Sequence, residues 1–179
     1  MSNNNMSSNM SNNKNGKSAQ AKKRLSEHFT LAEMAKTTVK GADNNPTAEA
    51  EANLRNLCEN WLEDLRFTYN GLYCLKPGED YATSKAVEGI VINSGYRSPA
   101  VNKAVGGAKG SNHLTGCAVD LKCLSPEQLL RYATILLDQA DDTNRDFDEL
   151  ILERRGSRYW LHFAVRPEGN RRKVVFDIK

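Results

Sequence analysis

Three observations predict an α+β fold in which a small antiparallel sheet packs with helices. One is a long amphipathic helical pattern. The second is a pair of short strand-like segments joined by a tight connection near the C-terminus. The third is that strands and helices are mixed while the tail of the chain is hairpin-rich, which favours an antiparallel sheet over a doubly wound parallel one. No GxGxxG occurs. "AVGGAKGS" (Ala104 to Ser111) lacks the Lys-Ser/Thr ending of a phosphate loop, so nothing points to a nucleotide.

The 179 residues suffice for one domain with a core. Residues 1–24 are Asn/Ser/Lys-rich without aliphatic periodicity, which predicts a disordered tail ahead of a single domain over 25–179. The basic run "KNGKSAQAKKR" in that tail is the only feature suggesting nucleic acid, and no nucleic-acid partner is expected from it. "HFTLAEM" places Thr30 as an N-cap with Glu33 completing a capping box, the helix running to about Thr37. His28 beside Phe29 reads as a packing or hydrogen-bonding residue.

Pro46 and Thr47 open the main helix, and Asn70-Gly71 is its expected stop. Ala50, Leu54, Leu57, Cys58, Trp61, Leu62 and Leu65 form one apolar stripe along it. "KPGEDYATSKAVE" reads as a loop and "GIVINSGYR" as a short strand entering a polar turn. Ser125 caps a second helix with Pro126 in its first turn. "FDELILE" and "YWLHFAV" are the two hairpin strands, and "RKVVFDIK" is a candidate last strand.

A net charge of +3 selects no partner by itself. Cys58, Cys74, Cys117 and Cys123 form no CxxC, so free buried thiols are expected, with pairing of Cys117 and Cys123 left open. No apolar run approaches the ~20 residues a membrane helix needs. No N-terminal apolar region resembles a secretory signal. A monomer is expected.

The stretch "SNHLTGCAVDLKC" brackets small and apolar residues between His113 and Asp120. His162 lies in "WLHFAV", where alternation sets it apart from Leu161 and Phe163. Two imidazoles and one carboxylate are a sufficient set for a catalytic zinc, which keeps a fourth position for water. Gly116 would let the chain bend between the ligands, and small Ala118 would let the backbone pass close to other elements. A hydrolase also needs a general base. Glu149 and Glu153 both lie on the preceding strand, and spacing does not choose between them. The alternative reading of Asp120 is a strand-end cap.

"SGYRS…VN…VGG…SNHLTGCAVDL…FDELILE…WLHF" resembles the zinc D-Ala-D-Ala peptidase family, in the branch of bacterial D,D-carboxypeptidases and phage cell-wall endopeptidases with a hedgehog-like fold. The S-x-H-x-x-G-x-A-x-D signature is carried by Ser111, His113, Gly116, Ala118 and Asp120, and W-x-H by Trp160 and His162. The resemblance implies one zinc held by His113, Asp120 and His162. It implies that Arg97 binds a substrate carboxylate and that Ser111 orients the substrate at the rim. Several relatives place the catalytic carboxylate three residues before the last histidine, where this chain has Tyr159. Other relatives, and the hedgehog domain, carry it at the end of a D-x-x-x-x-E pattern. Asp148 to Glu153 fits that pattern, which makes Glu153 the base. Trp160 replaces a histidine found in some relatives, leaving zinc and Arg97 as candidates to stabilise the oxyanion.

The expectation is thus a zinc metallopeptidase acting on peptidoglycan stem or cross-bridge peptides at or near D-alanine. It would be made in the cytoplasm and reach the cell wall by phage-type release or an export signal outside this chain. The alternative is a catalytically inactive, zinc-stabilised module that binds the wall or a protein.

Overall fold

The computed structural model describes residues 23–179. The predicted tail therefore lies outside the described residues, apart from Lys23 and Arg24. Lys23 pairs with Glu51 at 2.7 Å, and Arg24 bridges to Thr30.

Helix α1 (Leu31–Met34) starts at the predicted capping box, with the Thr30 hydroxyl accepting from the Glu33 N–H and the Glu33 carboxylate accepting from the Thr30 N–H. It stops at Met34 instead of Thr37, because the Met34 carbonyl is taken by the N–H of Tyr96, 2.7 Å away. The main helix begins at the Thr47 cap as α2 (Ala48–Leu57), passes through a π-turn (Cys58–Leu62) and continues as α3 (Glu63–Tyr73). The expected stop at Asn70-Gly71 is overrun. Asn70 is fully buried and clasps the following loop, donating to the carbonyls of Arg66 and Glu88 and accepting from the Glu88 N–H at 2.6 Å.

Beyond an irregular loop come β1 (Ile92–Ser94), α4 (Pro99–Ala104) and a 3-10 turn (Asn112–Thr115). They are followed by β2 (Ala118–Cys123), α5 (Pro126–Asp142), β3 (Glu149–Arg155), β4 (Arg158–Ala164) and β5 (Lys173–Ile178). Ser125 caps α5, with Pro126 at its first position. The sheet order is β1-β2-β4-β3-β5. Three pairs are antiparallel, β3 and β4 forming the predicted hairpin. The last strand departs from a purely antiparallel sheet: β5 lies parallel to β3 at the edge.

The helices cover one face of this sheet. Leu121, Leu150, Leu152, Leu161 and Phe163 point into that layer and are buried with Leu54, Trp61, Leu65, Tyr132 and Leu136. Trp61 meets Phe163 with ring centroids 5.1 Å apart. All four cysteines are free. Because strand side chains alternate, the opposite face collects the polar residues of β2, β3 and β4, and a cleft opens there. No helix among the described residues is long and apolar enough to cross a membrane.

Candidate active site

Strand register sets the cleft floor in rows. Asp120, His162 and Ile151 stand side by side across β2, β4 and β3. The next row holds Lys122, Trp160 and Glu153, and the row on the other side Ala118, Ala164 and Glu149. His113 enters from above on the 3-10 turn. The Ser111 hydroxyl caps that turn by accepting from the His113 N–H. Gly116 closes it at φ 72°, and a Cβ there would meet the Ala50 carbonyl oxygen at 2.2 Å. Only glycine satisfies both the left-handed backbone and this approach to α2.

The structure brings His113, Asp120 and His162 together, all buried, with one potential ligand atom from each within 4.8 Å of the others. His113 Nε2 is 3.2 Å and His162 Nδ1 2.9 Å from the same oxygen, Asp120 Oδ1. Ligands about 2.0–2.1 Å from a tetrahedral zinc stand about 3.3 Å apart, so the spacing suits that ion. His113 Nδ1 lies 2.6 Å from the Gly95 carbonyl. A carbonyl only accepts, so Nδ1 carries the hydrogen and Nε2 presents its lone pair to the cluster. The donor set therefore fits a metal, with His113, Asp120 and His162 as the residues that could hold it.

Charge within the cluster is strongly coupled. Burial works against the ionised Asp120, yet the two adjoining histidines hold its carboxyl well below the usual range. Burial likewise works against a charged His162, but Asp120 and Glu149 outweigh it and raise its pKa to about 9. Glu149 Oε2 lies 3.7 Å from His162 Nε2, and Oε1 is engaged by Arg171 and Lys173. Its pKa drops to about 2, first through His162 and further through Lys173, although burial opposes this.

Glu153 faces the same cleft on the opposite side of Ile151. Its pKa is raised, first by burial and then by the negative charge of Asp120. The two glutamates that spacing left equivalent thus differ physically. Glu149 is tied into ion pairs, whereas Glu153 makes none among the described residues and is the better proton acceptor near neutrality.

Arg97 lines the cleft with its Nε 2.8 Å from Ser94 Oγ and its guanidinium paired to Asp120 Oδ2. Ser111 lines the cleft besides capping the turn. Tyr159 packs against the core layer, on the face of β4 away from His162. His28 is outside the cleft and pairs with Glu63 at 2.7 Å.

Sequence reasoning missed a supporting clamp. Asp148 has a fully buried side chain, which accepts from Arg171 Nε and an Arg171 terminal nitrogen at 2.6 and 2.7 Å, and from Asn112 Nδ2 at 2.7 Å. It ties the turn bearing His113 to the strand bearing Glu149 and Glu153. The acidic pair Asp148-Glu149 facing "NRR" was the available signal, but nothing local links them.

Residues 82–139 match the model of the Peptidase M15 family, the zinc D-Ala-D-Ala peptidases. The matched segment includes Arg97, Ser111, His113 and Asp120 and ends before the strands of Glu153 and His162. The match supports a metallopeptidase. No curated protein matches the chain.

Proposed function

We propose that this chain, whose residues 82–139 match the Peptidase M15 model, hydrolyses peptidoglycan stem or cross-bridge peptides at or near D-alanine, with one zinc held by His113, Asp120 and His162. The observation that carries the reading is the convergence of these three side chains on the floor of a cleft of about 1180 Å³, with Glu153, which makes no ion pair among the described residues, one row away. A cleft of that size accommodates a peptide segment.

Zinc, when bound, supplies Lewis acidity that makes water more acidic and polarises a carbonyl. The protein residues do the rest. Glu153 takes the proton of the attacking water at its carboxylate and returns it to the leaving amine nitrogen. Arg97 changes partner from Asp120 to a carboxylate of the substrate, which its planar fork can grip through two hydrogen bonds. Ser111 orients the peptide at the rim while its hydroxyl holds the His113 turn. Gly95 holds the outer nitrogen of His113 and Glu149 lies 3.7 Å from that of His162, so that the inner nitrogens would face a bound ion.

The test is incubation of zinc-loaded protein with purified peptidoglycan and defined muropeptides, new ends being identified by mass spectrometry. Released D-alanine identifies a carboxypeptidase, and split cross-links an endopeptidase. No new ends with zinc bound would overturn hydrolysis and leave a wall-binding module.

A further inference from the structure

The cleft carries cations at both ends, and they differ in one respect. Toward Glu149, Arg166 and Arg171 are engaged by Asp148, and Arg171 and Lys173 by Glu149. Their charge is already met by buried or half-buried carboxylates. Toward the other end lie Lys122 on β2 and Arg158 on β4. Both are exposed, both line the cleft, and neither makes an ion pair or side-chain hydrogen bond among the described residues. The third cation there, Arg155, is spent on Asp177 at 2.6 Å.

These two residues flank the Trp160 ring, whose other neighbour is the Arg155 guanidinium 5.8 Å from the ring centroid. Lys122 is the register partner of Trp160, and Arg158 follows on the same face of β4 two residues earlier. Leu124, 71% exposed, borders the same part of the cleft. Two residues of strand advance about 7 Å, so Lys122 lies about 7 Å and Arg158 about 13 Å from the Asp120–His162 row. A peptide extended along β4 from the cluster would lay its backbone over Trp160 and bring its second to fourth residues between the two cations.

We infer that Lys122 and Arg158 form a subsite for a substrate carboxylate two to four residues from the scissile bond, distinct from the carboxylate at Arg97. The inference rests on the peptidase reading and adds to it a preference for acidic peptides. Exposed cations contribute modestly, but two acting on one anion across the Trp160 ring discriminate an acid from its amide by about tenfold.

The test uses the full zinc-loaded chain and two stem-type peptides. They are identical except that the residue three before the scissile bond bears either a free carboxylate or its carboxamide. Calorimetric Kd and kcat/KM are both measured, for the protein and for Lys122→Met combined with Arg158→Met. The expected result is about tenfold in favour of the free acid, falling to a ratio near one in the double variant. Equal affinities in the unaltered protein, or a preference that survives the double substitution, would overturn the subsite. If neither peptide is cut, the hydrolysis reading fails, and the calorimetric ratio alone still decides the subsite.

Discussion

Asn112 and Asp148 are joined by a 2.7 Å hydrogen bond from the Asn112 amide to Asp148 Oδ2, across 36 positions of chain. The bond fastens the turn before His113 to the start of β3. Since Arg171 holds the same carboxylate from the far side, one buried anion positions three segments of the cleft.

Asp148→Ala leaves the Asn112 amide and Arg171 without their acceptor and is expected to cost about 3 kcal/mol in urea denaturation. Burial opposes the Asp148 charge, but Arg171 and Asn112 prevail and lower its pKa below 3.8. A depressed carboxylate contributes stability above its unfolded pKa. That contribution is therefore full above about 4 and lost as pH falls through the lower folded value. An acid titration of Asp148→Ala should be flatter over this range than that of the unaltered protein.

Glu153→Gln and Glu149→Gln separate the two cleft glutamates. The first is expected to lower kcat at least about 100-fold while leaving zinc content unchanged. The second keeps Glu153, the proposed base, but weakens the partner of His162, with zinc affinity expected to fall about tenfold in chelator competition. Near-normal turnover by Glu153→Gln would remove it as the base.

Zinc uptake should depend on pH through His162. Its folded pKa, raised to about 9 from 6.5, means that the metal-free fold gains stability from protonated His162 below 6.5 and loses that gain as pH rises through about 9. A metal ligand must be neutral, so binding expels this proton. Affinity is expected to rise by up to about tenfold per pH unit between 6.5 and 9 and then level off. Chelator competition across that interval checks it, and a flat profile would contradict it.

Gly116→Ala meets the Ala50 carbonyl at 2.2 Å and must hold a left-handed backbone. The expected loss is about 2–4 kcal/mol in thermal or urea unfolding, with weaker zinc binding because the turn separates two of the three cluster residues.

The caps at Thr30, Thr47 and Ser125 were legible in the sequence because a side chain three residues from its backbone partner needs no tertiary information. The hairpin and the convergence of His113, Asp120 and His162 followed from alternation, spacing and family resemblance. What was not legible depends on long-range partners. Asn70 reads locally as a stop, yet inside the fold it is the clasp for Glu88. Strand β2 was not assigned although "AVDLKC" alternates, with Val119, Leu121 and Cys123 in the core and Asp120 and Lys122 on the cleft face; its six residues are short and follow a glycine-bearing turn. The parallel placement of β5 and the Asp148 clamp are settled by contacts more than 20 positions apart, which no local pattern encodes.

The two histidines of the cluster are held by different kinds of partner. His113 leans on the carbonyl of Gly95, where a Cβ would collide with the Met34 carbonyl at 2.3 Å. A main-chain oxygen cannot be removed by substitution, but any side chain at position 95 would have to displace the backbone, so this half of the cluster is lost only through such a shift. His162 faces a glutamate side chain, which a single codon change can replace. For a metal held by this cluster, retention would therefore be tunable at position 149 while the His113 side stays tied to the backbone.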